Sequence, residues 1–216
     1  MIKKTLVALA LAGAALSAHS AVLLSEGFNN VAALGAAGWT FNNASTPTGS
    51  TGWFQGNPAD SGFNAQAGAA NSFIGANFNN AAIGGMIDNY LITPLFNTST
   101  AITVSFYANA AKELLYFDNI AFGFSSGTGT APSDFSFGPT SVVTPAMWTN
   151  YIAASSGNGA GSQGRFAIRY TGEADLSNYI GIDSLTVTSA VPEPSTIMMF
   201  GAGMLGLLAL RRRKQI

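Results

Sequence analysis

The chain has 216 residues, with nine Lys and Arg, ten Asp and Glu, one His and no Cys. Without cysteine there is no disulfide, thiolate nucleophile or cysteine-held zinc. The net charge of −1 hides an uneven distribution, because six of the nine basic residues (Lys3, Lys4, Arg211, Arg212, Arg213 and Lys214) crowd the two ends.

The N-terminal end reads as a secretory signal peptide over residues 1–20. Lys3 and Lys4 form its basic start, Leu6 to Leu16 its apolar stretch, and Ser17-Ala18-His19-Ser20-Ala21 offers small residues for cleavage after Ser20. His19 is the only histidine, so a mature chain starting at Ala21 has no imidazole. That excludes Ser-His-Asp and Cys-His catalysis and histidine metal sites. Between the ends only Lys112, Arg165 and Arg169 are basic, against nine acids, a net of −6. Three scattered cations cannot neutralise a phosphate backbone, so nucleic acid is not an expected partner. Lys112, the single lysine left for a Ser-Lys dyad, stands beside Glu113 in a polar stretch and reads as a solvated ion pair. No glycine-rich phosphate loop follows a strand and opens a helix.

Residues 21–190 read as one all-β domain, a two-sheet jelly-roll-like sandwich. Short apolar or alternating runs recur between Gly, Asn, Ser and Pro clusters. The expected strands are Val22–Leu24, Trp39–Phe41, Ser72–Ala76, Tyr90–Ile92, Ile102–Ala108, Ile120–Phe124, Trp148–Ile152, Arg165–Tyr170 and Tyr179–Val187. Ile102, Val104 and Phe106 alternate with Thr103, Ser105 and Tyr107, the period of a half-buried strand. The same period places Arg165 and Arg169 on one solvent face, and sets Ile180 and Ile182 opposite Gly181, Asp183 and Leu185. No amphipathic helix of ten residues is expected.

Of the tryptophans, Trp39 and Trp148 read as packed against the sheets. Trp53, between Gly52 and Phe54, is the best candidate for a ligand-facing aromatic, though burial is the favoured reading. Phe54, Phe63, Phe73 and Phe78 read as aromatics that anchor loops to the core. Asp118-Asn119 reads as an Asx turn, with a cation site as the alternative.

The C-terminal end, residues 191–216, has three parts. Pro192-Glu193-Pro194 is extended and denied helix hydrogen bonds. Ile197 to Leu210 is an uncharged run shorter than the roughly 20 apolar residues of a permanent span. The cations Arg211, Arg212, Arg213 and Lys214 then hold the end on the cytoplasmic side. This order resembles the PEP-CTERM sorting signal of Gram-negative bacteria. The resemblance implies export, transient residence in the inner membrane and processing by an exosortase-type enzyme.

A second resemblance spans nearly all of Glu26 to Thr188. It is carried by Ser25-Glu26-Gly27-Phe28-Asn29, Gly38-Trp39-Thr40, Gly52-Trp53-Phe54, Asp88-Asn89-Tyr90-Leu91-Ile92-Thr93-Pro94, Trp148-Thr149-Asn150-Tyr151, Arg165 to Tyr170 and Tyr179 to Val187. These blocks resemble, in order, the choice-of-anchor J domain, itself similar to cleaved adhesin and MAM domains. The resemblance implies a β-sandwich without a catalytic role, and a structural calcium held by Glu26 and Asp183, with Asn29 standing where relatives often carry an acid. Asp183 also interrupts an otherwise apolar strand, where an unpaired buried carboxylate is costly. A metal, backbone N–H groups or solvent could each relieve that cost.

The expectation is an exported, surface-sorted protein whose sandwich adheres to exopolysaccharide or other biofilm matrix. The alternatives are a carbohydrate-active enzyme and a passive display domain without ligand. For the enzyme, the three glutamates Glu26, Glu113 and Glu173 would have to supply the paired carboxylates of glycoside hydrolysis.

Overall fold

The strands that short β-branched and aromatic runs predict are present in a computed structural model that describes residues 20–113 and 115–190. They are β1 (Ala21–Glu26), β2 (Thr40–Asn43), β3 (Thr46–Thr48), β4 (Phe54–Gln55), β5 (Ile74–Asn77), β6 (Ala81–Ile92) and β7 (Phe96–Asn97). Then come β8 (Ile102–Ala110), β9 (Asn119–Ser125), β10 (Phe135–Phe137), β11 (Ser141–Val142) and β12 (Thr149–Ser155). The last are β13 (Gln163–Gly164), β14 (Phe166–Glu173) and β15 (Tyr179–Ser189). Among the described residues the single α-turn, Pro58–Ser61, is capped by the Asn57 side chain, which accepts from the Ala59 N–H. The signal-peptide residues up to His19, the Pro192-Glu193-Pro194 motif and the cations 211–214 lie outside the described residues.

Two antiparallel sheets face each other. The first runs β12-β8-β15-β5-β4, with β1 beside β15. The second runs β10-β9-β14-β6-β2, with β11 beside β9 and β3 beside β6. Alternation decides what lies between them. Ile102, Val104 and Phe106 of β8, Ile180 and Ile182 of β15, Ile87 and Leu91 of β6, and Phe166, Ile168 and Tyr170 of β14 form one buried cluster. Phe106 meets Phe122 of β9 edge-on, with ring centroids 5.2 Å apart. Val22–Ser189 is one compact unit and carries this core within itself.

Three expectations change. The phase of β15 does not run straight through: its pairing with β8 slips between Asp183 and Thr186, and Ser184 takes φ 51. This bulge inserts one residue, so Leu185 and Val187 turn inward with Ile180 and Ile182 rather than outward with Asp183. β6 is twelve residues long, not three: it continues back to Ala81 through an irregular stretch at Gly84 (φ 71) and Gly85, where its register with β3 shifts between Met86 and Ala81. Lys112 and Glu113 form no ion pair; among the described residues the one ion pair is Arg169 to Asp88, at 2.6 Å. Arg169 also lies over the Tyr90 ring, 5.7 Å from its centroid, on the outer face of the second sheet.

The outer face of the first sheet carries its own small cluster. Phe73, Ala111 and Tyr179 are buried there, with Phe54, Phe63 and Trp148 packed against them. Gly181 permits this: a Cβ at that position would come 2.8 Å from the Phe63 ring and 2.9 Å from the Phe73 ring. An aromatic cap therefore sits on the sheet where β15 has no side chain. The Trp148 indole N–H reaches over to the Asn64 carbonyl at 2.9 Å, tying down the segment that follows Phe63.

Candidate functional site

That pinned segment delivers backbone donors to Asp183. The Asp183 side chain is wholly buried. Its Oδ2 accepts from the N–H groups of Gln66 at 2.8 Å and Ala67 at 3.1 Å, and its Oδ1 from the Ser184 N–H at 2.6 Å. Burial pushes the carboxyl above its ordinary 3.8, while the N–H donors of Ala67, Ser184 and Gln66 pull it back. The Ser184 hydroxyl donates to Gln66 Oε1 at 2.7 Å and locks the same loop a second time. Of the ways to relieve the cost of burying Asp183, the structure contains the backbone one.

Glu26 ends β1, the strand beside β15. Its Oε1 accepts from the Phe28 N–H at 2.7 Å, and Phe28 is held at φ 51. A positive φ at a bulky residue is costly and persists where surroundings enforce it. Gln55 supplies the enforcement: its Oε1 accepts from Val31 N–H at 2.9 Å, and its Nε2 donates to the carbonyls of Phe28 at 2.9 Å and Asn71 at 2.6 Å. Asn29 is carried to the same loop, since a Cβ on Gly68 would lie 3.5 Å from its Oδ1. Asp183 and Asn29 thus reach the 66–68 loop, Glu26 binds the Phe28 N–H at the end of β1, and two non-glycine residues beside them, Phe28 and Ser184, lie in left-handed backbone. Nothing in the sequence marked Gln55 or Gln66, whose roles depend on contacts 16 to 118 residues away in the chain.

These donors are all oxygens, so a metal they held would be a hard cation such as calcium. Two carboxylates and one carboxamide fit calcium chemically, with backbone carbonyls and water needed to reach six to eight oxygens. Among the described residues no three acids cluster as a metal-binding set.

The other candidates resolve differently. Trp53 is 7% exposed and belongs to the main core, so it is not a surface platform for a ligand. Its indole N–H is buried without an acceptor. Trp39 meets Phe28 edge-on at 5.5 Å. Asp118 is not a solvent-facing turn residue: it is buried, and its Oδ1 accepts from the Tyr170 hydroxyl at 2.6 Å and the Asn178 N–H at 2.9 Å. Burial raises this carboxyl too, opposed by those two bonds and a further backbone donor from Tyr179. Phe78 departs from its expected anchoring role and is 43% exposed.

Comparison with known proteins agrees with this architecture. Residues 190–214 match the PEP-CTERM protein-sorting motif. No curated protein matches the sequence. Among solved structures, the K1 cleaved adhesin domain of Lys-gingipain from Porphyromonas gingivalis is similar with a TM-score of 0.58 and 23% identity, over 79% of this chain and 100% of that one. The K3 cleaved adhesin domain of the same protein gives 0.57 and 23%, over 80% and 100%. The CBM22-1–GH10 modules of a Clostridium thermocellum endo-1,4-β-D-xylanase, complexed with xylohexaose, give 0.50 and 10%, over 78% of this chain and 28% of that one. At these identities the likeness is one of fold. Among the described residues no helix is long and apolar enough to cross a membrane. The chain therefore joins a PEP-CTERM protein-sorting motif, the mark of an exported protein, to a β-sandwich folded like the cleaved adhesin domains.

Proposed function

We propose that the exported sandwich is a non-catalytic adhesive component of the cell surface or extracellular matrix, and that it associates with exopolysaccharide. An exosortase-type enzyme processes the chain near Pro192-Glu193-Pro194 after transient retention in the inner membrane. The observation that carries this reading is the union of the sorting motif at residues 190–214 with an adhesin-like domain. The likeness to a structure of the CBM22-1–GH10 modules of a xylanase, complexed with xylohexaose, is in keeping with a polysaccharide partner.

The reading includes a structural calcium at Glu26 and Asp183, with Asn29 as a neutral third side-chain donor. Its support is the all-oxygen donor set and the strained backbone at Phe28 and Ser184 on either side. The ion would staple β1 to the bulge of β15.

The test is retention of purified residues 21–190 on the producer's own exopolysaccharide, in calcium and in chelator. Retention in calcium supports the adhesive reading, and its loss in chelator supports the metal. No retention in either condition sinks adhesion to this polymer. An unchanged biofilm in a deletion strain would count against a matrix role.

A further inference from the structure

At one end of the sandwich, three separate stretches converge on a depression of about 550 Å³. The Phe78 N–H donates to the Asn178 carbonyl at 2.9 Å, the Phe117 N–H to the Leu176 carbonyl at 2.8 Å, and the Gly84 N–H to Asp175 Oδ1 at 3.1 Å. These bonds bring the loop before β9, the start of β6 and the 174–178 turn together. The side chains left outward are large and apolar: Ile83 is 95% exposed and Tyr116 41%, beside the half-exposed Phe78, Phe117 and Leu176. Scattered apolar residues on a surface need no explanation, but a contiguous group around a depression marks an interaction site.

The lining tells what would bind. Phe78 and Tyr116 are aromatic; Glu113, Asp175 and Asn178 are polar; and no described lining residue is basic. Among the described residues the Glu113 carboxylate has no hydrogen-bonding or ionic partner, and Asp175 engages one oxygen only. Two carboxylates repel anions, so phosphates and uronate sugars are disfavoured. A neutral pyranose matches both halves of the lining. Its C–H face is apolar and packs on aromatic rings, and its hydroxyls donate to ionised carboxylates in charge-assisted hydrogen bonds. The volume falls in the ordinary range of small-ligand sites.

We propose that this depression, lined by Phe78, Glu113, Tyr116, Asp175 and Asn178, is a binding subsite for neutral hexopyranose units of a polysaccharide. The assignment rests on the adhesive reading above and names the place where it would act. It lies apart from Glu26 and Asp183.

The experiment is a heteronuclear NMR titration of residues 21–190, whose core is complete within Val22–Ser189. The probes are cellohexaose, mannohexaose and an oligogalacturonate of equal length. Shifts confined to residues around 78, 113, 116, 175 and 178 with a neutral probe, and none with the galacturonate, are expected. Tyr116→Ala should weaken binding about tenfold, the loss of one aromatic contact surface. The Glu113→Gln/Asp175→Asn pair should weaken it while leaving the spectrum otherwise folded, and should relax the exclusion of galacturonate. No shifts at these residues with any neutral probe, or shifts that map elsewhere, would overturn the subsite. So would self-association of the wild type that Tyr116→Ala abolishes, which would make the patch a protein interface. If the wild type is retained on exopolysaccharide and Tyr116→Ala is retained equally, the subsite falls while adhesion stands. If the wild type is not retained but the neutral probes still shift these residues, the subsite stands and the exopolysaccharide reading falls.

Discussion

Replacing Asp183 by Ala removes one carboxylate and leaves three backbone donors, those of Gln66, Ala67 and Ser184, without their acceptor. A buried donor left unpaired costs about 1–3 kcal/mol, so the gross loss for three is about 3–9 kcal/mol where water does not enter. Removing a desolvated carboxylate returns a few kcal/mol of that. The expected net destabilisation is about 2–4 kcal/mol. In a domain of this size that lowers Tm by about 5–15 °C. Equilibrium urea unfolding of residues 21–190, followed by the fluorescence of Trp39, Trp53 and Trp148, measures it directly. The measurement is made first in chelator, which isolates the hydrogen bonds, and then in calcium. If calcium binds here, the wild type gains about 2.7 kcal/mol at a hundredfold excess over Kd, and Asp183→Ala gains nothing. A variant within about 0.5 kcal/mol of wild type in chelator would refute the reasoning that these bonds hold the 64–68 segment. An equal calcium gain in both proteins would refute the metal assignment.

Acid should act on the buried carboxyls in an unusual direction. Burial raises Asp118 and Asp183 above 3.8, so each contributes most below that pH and loses its contribution as pH rises through its folded value. In chelator, wild type should therefore gain stability relative to Asp118→Asn as the pH is lowered toward 3.8, read from urea midpoints across a pH series; a falling difference would contradict it. The calcium-dependent part of stability has the opposite sign, because the ion needs ionised carboxylates. Gly181→Ala should cost about 1–3 kcal/mol, since its Cβ must displace the Phe63 and Phe73 rings. It should also speed hydrogen exchange at Gln66 and Ala67, and unchanged exchange there would disconnect the aromatic cap from Asp183. Trp53→Phe should be close to neutral in stability, because the smaller ring loses packing but removes an orphaned indole N–H. It should leave polysaccharide retention unchanged, and a loss of retention would restore a ligand role to that position.

Much of this molecule was readable along the chain because its determinants are local. Period-two alternation marked β8 and β14, since a strand with one buried face repeats every two residues whatever its partners are. The tripartite C-terminal end announced itself by charge, apolar length and proline, and the sorting motif matches there, over residues 190–214. The short edge strands β3, β4, β7, β10, β11 and β13 carry two or three residues each, too few for a period to show. The phase error in β15 has a different origin. A bulge is set by pairing with β8, and only that pairing turns Leu185 inward while leaving Asp183 outside the main core.

The sequence by itself determined the all-β class, the exported route and the absence of imidazole and thiol chemistry from residues 21–190, because composition and short-range pattern suffice for each. It also singled out Asp183 as a carboxylate out of place in an apolar strand. Tertiary structure alone decided what answers that carboxylate: donors from a loop more than a hundred residues earlier, brought there by an aromatic cap seated on a glycine. It alone buried Trp53 and exposed Phe78 and Tyr116 around one depression. Whether an aromatic faces core or solvent depends on which distant segments cover it, and that is a property of the packed chain.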